Sequence, residues 1–326
     1  MKPNIALVTG GYSGEAVISY KTAITILQHI DTLKYNIYKI DITPNGWYYE
    51  ASGNTQLVDK NDFSIQINSK KIVFDAVLIG IHGTPGEDGK LQGYFDMLNI
   101  PYTSCNAATS ALTFNKRYTV AVAAFAGIQV AQSVHLFKKH PLTAQQVLQQ
   151  VQLPVFVKPN NGGSSIGMSK VTQTNDLQAA IDKAFKEDNQ VLVEEYISGR
   201  EFTVGVFKTK GVIKVLPITE IIPKNDFFDY EAKYTTGMAN EVTPAQIDAS
   251  VTAVIQSAAQ KVYEVFNCSG IVRIDFIYND KSNQPFLLEI NTVPGQSEAS
   301  IVPQQVKAMG WTLTDFYSTL IEEAMH

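Results

Sequence analysis

Four side chains late in the chain have the types and spacing for phosphate chemistry. The stretch from Gly270 to Pro303 holds an apolar run with Arg273 and Asp275, a polar turn from Asn279 to Gln284, and a second apolar run, FLLEIN, with Glu289 and Asn291. Alternate side chains of a strand share a face, so a hairpin brings all four to one side. Asp, Glu and Asn oxygens are the hard ligands Mg²⁺ takes, with the rest of its shell left to phosphate and water. On these residues alone the hairpin reads as either a divalent-metal nucleotide site or a solvated face with one ion pair. Pro294-Gly295 turns the chain just beyond Asn291, and backbone N–H groups in such turns form anion-binding concavities.

The elements that must position this cluster lie upstream. QLPVFVKP reads as a strand ending in Lys158, followed by Asn160 to Met168, a polar loop with three glycines and the hydroxyls of Ser164 and Ser165. No Lys followed by Ser or Thr closes it, so it is not a Walker A loop, and a glycine-rich hairpin over phosphates fits better. VLVEEYI predicts a strand whose end, Glu194 to Ile197, offers adenine an edge, with a carboxylate nearby for ribose. Helices are expected over Asn106 to Ala126, carrying Lys116, over 91–99, and over 175–187 with Asn175 as N-cap.

Near the start, NIALVT reads as a buried parallel strand that runs through GGYSGE into a helix ending near Ile30. Glu15 opens that helix, where it either complements the macrodipole or holds a substrate amine. A second strand over 72–80 opens into Ile81 to Gly89, where His82 is either a structural histidine or a substrate-side group. Both loops would sit beyond the carboxyl ends of parallel strands, where open α/β sheets bind ligands. The glycine spacing is not a dinucleotide fingerprint. The non-periodic segment between Phe227 and Pro244 reads as a lid or binding loop.

Composition narrows the partners. The 326 residues suffice for two or three domains, and the formal net charge of −5 argues against nucleic acid, whose phosphates need clustered Lys and Arg. Met1 to Gly10 lacks a signal h-region and no run is long enough to span a bilayer, so no membrane is expected and the cytoplasm is the expected location. Cys105 and Cys268 fit no metal or redox spacing and read as buried free thiols.

GGYSGE, HGTPGEDG, VKPNNGGSSIGM, VEEYISGREFTV, DYEAKY, and RIDF with LLEINTVPG and SIVP occur in this order over nearly the whole chain. Together they resemble the D-alanine–D-alanine ligase family of the ATP-grasp superfamily. The resemblance implies an α/β, three-domain ATP-grasp fold with an N-terminal open parallel-sheet domain. Its units would be 1–105 on the substrate side, 106–189 as the central subdomain, and 190–326 with the metal and catalytic site. It implies that ATP phosphorylates the carboxylate of a first D-alanine and that the amine of a second D-alanine attacks the acyl phosphate, for peptidoglycan precursor synthesis.

The same resemblance gives residues their roles. Lys116, Lys158 and Lys233 match nucleotide-phosphate lysines; Glu194, Glu195 and Ile197 match positions around adenine, and Glu201 the ribose. Asp275, Glu289 and Asn291 match the ligands of two Mg²⁺ ions, for which Mn²⁺ can substitute. Glu15 and His82 match the grip on the first D-alanine, Ser300 and Ile301 that on the second, and Arg273 with Gly295 the oxyanion pair. Tyr234 matches the tyrosine that bonds Ser164 and Glu15 to close the site, and a tyrosine there points to a peptide product rather than a depsipeptide. The chain departs from the pattern at Gln296, where many members carry methionine. The resemblance also implies a homodimer through the N-terminal domain.

Overall fold

The computed structural model describes residues 2–51, 54–163, 166–223 and 239–326; Ser164, Lys233 and Tyr234 lie outside the described residues. Three main sheets organise what is described. The first has five strands in the order Asn54–Leu57, Gly46–Ala51, Asn36–Thr43, Asn4–Gly10, Ala76–Ile79. Its inner strand Asn4–Gly10 pairs in parallel with Asn36–Thr43 and Ala76–Ile79 and is buried along almost its whole length, as its unbroken apolar run requires. The parallel pairing expected of the N-terminal sheet is made by these three strands. Thr43 and Gly46 face each other across a turn too short for a crossover, so Gly46–Ala51 returns antiparallel and Asn54–Leu57 follows it.

The second sheet is antiparallel, in the order Ser169–Val171, Val155–Pro159, Gln190–Glu195, Ser133–Phe137. Leu177, Ile181 and Ala184 of the helix Leu177–Glu187 pack on its valines. That helix follows a 3₁₀ turn over Thr174–Asp176, so Asp176 rather than Asn175 takes the N-cap position. Pairing places Gln190–Glu195 inside this sheet, beside Val155–Pro159 and Ser133–Phe137.

The third sheet has the path Ala239–Val242, Thr219–Pro223, Arg200–Thr209, Val272–Asn279, Gln284–Asn291, with Val212–Val215 also on Arg200–Thr209. Ala239–Val242 is therefore a strand, although it falls in the segment read as non-periodic. The helix expected over Asn106 to Ala126 is two helices, Ala107–Phe114 and Lys116–Phe125. Asn115 between them is extended, and its side chain accepts the Tyr118 N–H as a new N-cap. Ala123 of the second helix is buried with Phe202, Val204 and Ile274, in the core of the third sheet.

A shared core fixes the first sheet against the third. Ile5, Leu7, Ile26 and Leu78 pack with Phe207, Val302, Val306, Phe316 and Tyr317, the last four from the helices Ile301–Ala308 and Leu313–Ala324. This burial brings the loops after Gly10 and Ile79 to the turn at Pro294-Gly295. Among the described residues no helix is long and apolar enough to cross a membrane. Cys105 and Cys268 are both buried free thiols.

Candidate active site

Register on the long hairpin sets the chemistry of the cleft. Arg273 stands opposite Asn291 and Asp275 opposite Glu289, with a bulge immediately after Asp275, so the four side chains do share one face. Arg273 forks onto Asp275, with Nε to Oδ1 at 2.9 Å and an Nη to Oδ2 at 2.8 Å, and lies 3.6 Å from Glu289. The Thr203 hydroxyl, on the neighbouring strand, also donates to Asp275 Oδ1. Burial opposes the Arg273 charge, but the carboxylates of Asp275, Glu289 and Glu87 outweigh it and raise its pKa above the ordinary value. The guanidinium is a permanent cation beside two carboxylates.

A cleft of about 540 Å³ opens between the second and third sheets. Asp275 and Glu289 line it, as do Glu15, Lys116, Lys158, Glu194, Glu195, Ile197 and Glu201. Lys158 and Glu194 stand on adjacent strands of the second sheet and form a close, largely buried ion pair. Val155–Pro159 and Ser169–Val171 form the expected hairpin around the glycine loop. Lys116 reaches that loop, its Nζ 2.6 Å from the Gly162 carbonyl, and the Arg117 N–H donates to Asn160 Oδ1 at 2.8 Å. The break at Asn115 therefore aims a new helix N-terminus at the loop.

The first-sheet loops close the other side. A Cβ built on Gly83 would lie 2.5 Å from Glu15 Oε2, and one on Gly163 would lie 2.8 Å from Oε1, so the Glu15 carboxylate sits close between the two loops. His82 is buried, its backbone N–H donating to Ser19 Oγ and its ring Nε2 lying 2.9 Å from Thr22 Oγ1. Thr22 Oγ1 also accepts the Gln296 N–H at 3.2 Å, which links the histidine to the turn after Gly295. Burial lowers the His82 pKa to about 4, helped by the Arg273 charge and opposed by a hydrogen bond to the Val293 backbone. His82 is thus neutral and tied to the turn carrying Gly295.

Gly295 in turn touches Ser300, since a Cβ there would lie 2.7 Å from Ser300 Oγ. Ser300 precedes the helix Ile301–Ala308, and its hydroxyl bonds Ser297 Oγ at 2.7 Å and makes no cap bond. Pro303 has no N–H and the Gln304 N–H bonds the Ser300 carbonyl, so the Ile301 and Val302 N–H groups are the ones this helix end offers an anion.

Glu87 is a residue that sequence reasoning gave no role. Buried in the HGTPGEDG loop, it accepts the Gly83 N–H at 2.6 Å, and burial, then the Glu15 charge, raises its pKa to about 8. The motif placed it near the site, but only the fold sets it beside Glu15. Thr203 was missed for the same reason.

Asp275, Glu289 and Asn291 supply hard oxygen donors at opposed positions on paired strands, which suits a small divalent cation. Among the described residues no group of three or more His, Cys, Asp or Glu forms a metal cage. Such a donor set fits an ion that completes its shell from phosphate and water.

A cleft between an antiparallel sheet with a glycine-rich hairpin and a second sheet bearing paired carboxylates defines an ATP-grasp protein. Residues 4–105 match the family described as D-ala D-ala ligase N-terminus, and residues 114–322 its C-terminus. The D-alanine–D-alanine ligase of Flavobacterium johnsoniae is 45% identical over 320 residues, 98% of each chain, and that of Parabacteroides distasonis 44% identical over 326, covering 100% of this chain and 98% of the relative. Among solved structures, the VanG D-Ala:D-Ser ligase from Enterococcus faecalis superposes with a TM-score of 0.88 at 32% identity, covering 99% of both chains. The D-alanyl-alanine synthetase A from Vibrio cholerae gives 0.89 at 28%, covering 99% of this chain and 98% of that one. The chain belongs to the D-alanine–D-alanine ligase family.

Proposed function

We propose that this enzyme joins two D-alanines at the expense of ATP, through a D-alanyl phosphate, to supply a peptidoglycan precursor. The observation that carries the reading is the meeting of Glu15 with Lys116, Lys158, Asp275 and Glu289 in one cleft. ATP lies between the second and third sheets, its phosphates held by Lys116, Lys158 and the glycine-loop N–H groups, adenine by Glu194, Glu195 and Ile197, and ribose by Glu201. Asp275, Glu289 and Asn291 would hold two Mg²⁺ ions, which neutralise phosphate charge when bound. Lys233, Ser164 and Tyr234 complete the phosphate grip and the closure.

Glu15 binds the ammonium of the first D-alanine, and neutral His82 stands by its carboxylate. That carboxylate takes the γ-phosphoryl group, which turns a poor electrophile into a good one. The second D-alanine is held through its carboxylate by Ser300 and the Ile301 N–H, so its amine faces the activated carbonyl. As it attacks, Arg273 and the Gly295 N–H meet the developing oxyanion, and collapse releases phosphate. Positioning the two substrates accounts for much of the rate.

We further propose three structural units, 1–105, a central unit ending after Glu195, and the remainder carrying the metal and catalytic groups. The enzyme acts in the cytoplasm as a homodimer joined through its N-terminal unit. Support for that surface comes from Val17, Tyr20 and Ile24, which share one face of the helix Ala16–His29 and are 61%, 39% and 56% exposed.

Dipeptide formation and phosphate release with ATP, Mg²⁺ and D-alanine, alone and against equal D-serine or D-lactate, test the reading. Dominant D-alanyl-D-alanine, absent with L-alanine, is expected. Dominant D-alanyl-D-serine would favour a D-Ala:D-Ser ligase like that of E. faecalis, and no ADP with any pair would sink the ligase assignment.

A further inference from the structure

The strand Arg200–Thr209 changes partner along one edge. Thr203 pairs with Thr219 and Val206 with Val215, and in the gap Leu216 donates its N–H to the Gly205 carbonyl at 2.8 Å. A carboxamide from the helix Ile301–Ala308 fills that gap. Gln305, with no exposed surface, accepts the Gly205 N–H at 3.0 Å and donates from Nε2 to the Thr203 carbonyl at 3.0 Å and Thr219 Oγ1 at 3.1 Å. Thr219 Oγ1 lies in turn 2.6 Å from Thr243 Oγ1. A Cβ on Gly205 would come within 2.8 Å of Gln305 Oε1, so the glycine is what admits the amide.

The helix that contributes Gln305 is the one that begins at Ser300 and Ile301, and the strand it bonds is the one whose Thr203 hydroxyl holds Asp275. Apolar packing of Val302 and Val306 resists separation of helix and sheet but has no direction along the interface. Three buried hydrogen bonds on one planar amide do have direction, and the helix is rigid over the single turn between Gln305 and Ile301.

We infer that Gln305 is a positioning residue that sets the second-substrate end of the helix in register with the strand that holds Asp275. This rests on the assignment of Ser300 and Ile301 to the carboxylate of the second D-alanine. Gln305→Leu keeps the bulk and removes all three bonds.

Steady-state kinetics on the full chain separate the substrates, because two D-alanine sites, as proposed, each contribute their own saturation constant to the rate curve. Gln305→Leu is expected to raise KM for the second D-alanine by about ten-fold or more, with KM for ATP and for the first D-alanine within about two-fold. An unchanged second KM, or a parallel change in all three constants, overturns the positioning role. Thr219→Val, which removes one acceptor, is expected to raise the same constant by roughly two- to five-fold and carries the test if Gln305→Leu does not fold; no rise there also overturns it. Ser300→Ala separates the two readings. If it leaves the second KM unchanged, the second-substrate assignment falls, whereas an effect of Ser300→Ala without one of Gln305→Leu removes only the positioning role.

Discussion

Replacing Glu87 by glutamine should change how stability depends on pH. The amide oxygen can still accept the Gly83 N–H, but the side chain no longer titrates. In the folded protein the Glu87 pKa is raised from 4.5 to about 8 by burial and then by Glu15, so between those values the native state holds a proton that the unfolded chain has released. Stability contributed by this group is fully present below about pH 4.5 and is lost as pH rises through 8. At ~1.4 kcal/mol per pKa unit the whole loss is on the order of 5 kcal/mol. His82 runs the other way: its folded pKa of about 4 against 6.5 makes its contribution grow with pH across that interval. Above about pH 6.5 Glu87 therefore acts without that opposition.

Urea unfolding of parent and Glu87→Gln, followed in half-unit steps from pH 6.5 to 8, reads the difference. The parent should lose stability with pH more steeply, by up to about 1.4 kcal/mol per pH unit, so the gap widens by roughly 2 kcal/mol across the window. Groups that titrate alike in both proteins cancel. Parallel lines for the two proteins would refute a proton held on Glu87.

Three other outcomes are open to measurement. Arg273→Ala should lower turnover by about 100- to 1000-fold while changing KM for ATP far less, because the charge it meets develops only during reaction; near-normal turnover would remove the oxyanion role. Ile24→Glu places a charge on the exposed stripe of the helix Ala16–His29 and should shift light-scattering mass toward the monomer, whereas an unchanged mass would move the dimer surface elsewhere. Chelation by EDTA should abolish ADP release, with recovery on adding Mg²⁺ or Mn²⁺, and full activity in EDTA would dismiss the metal assignment of Asp275, Glu289 and Asn291.

The hairpin over Val272–Asn291 was legible because period-two alternation fixes which side chains share a face once the turn is located. The same logic found Asn4–Gly10 and the strands around the glycine loop, whose apolar runs are bounded by glycine and proline. Local rules failed where two local choices compete. Asn115 is a better N-cap than helix interior residue, and the antiparallel return at Gly46 depends on a turn whose length the periodicity does not show. Glu87, Thr203 and Gln305 were out of reach for a different reason. Each acts through a partner distant in sequence, as with Gln305 and Gly205, and a buried carboxamide carries no signature of what it will bond.

The ion pair between Lys158 and Glu194 has a consequence for ligand choice. Both side chains are nearly enclosed, at 13% and 11% exposure, and each is the other's counter-charge in the cleft. A free anion that drew Lys158 away would strand Glu194, and a neutral base that engaged Glu194 would strand Lys158; either leaves an enclosed charge without compensation. Only a molecule presenting an anion to one and a donor to the other exchanges both partners at once. A ligand that carries both groups is therefore expected to compete for the pair better than phosphate or adenine alone.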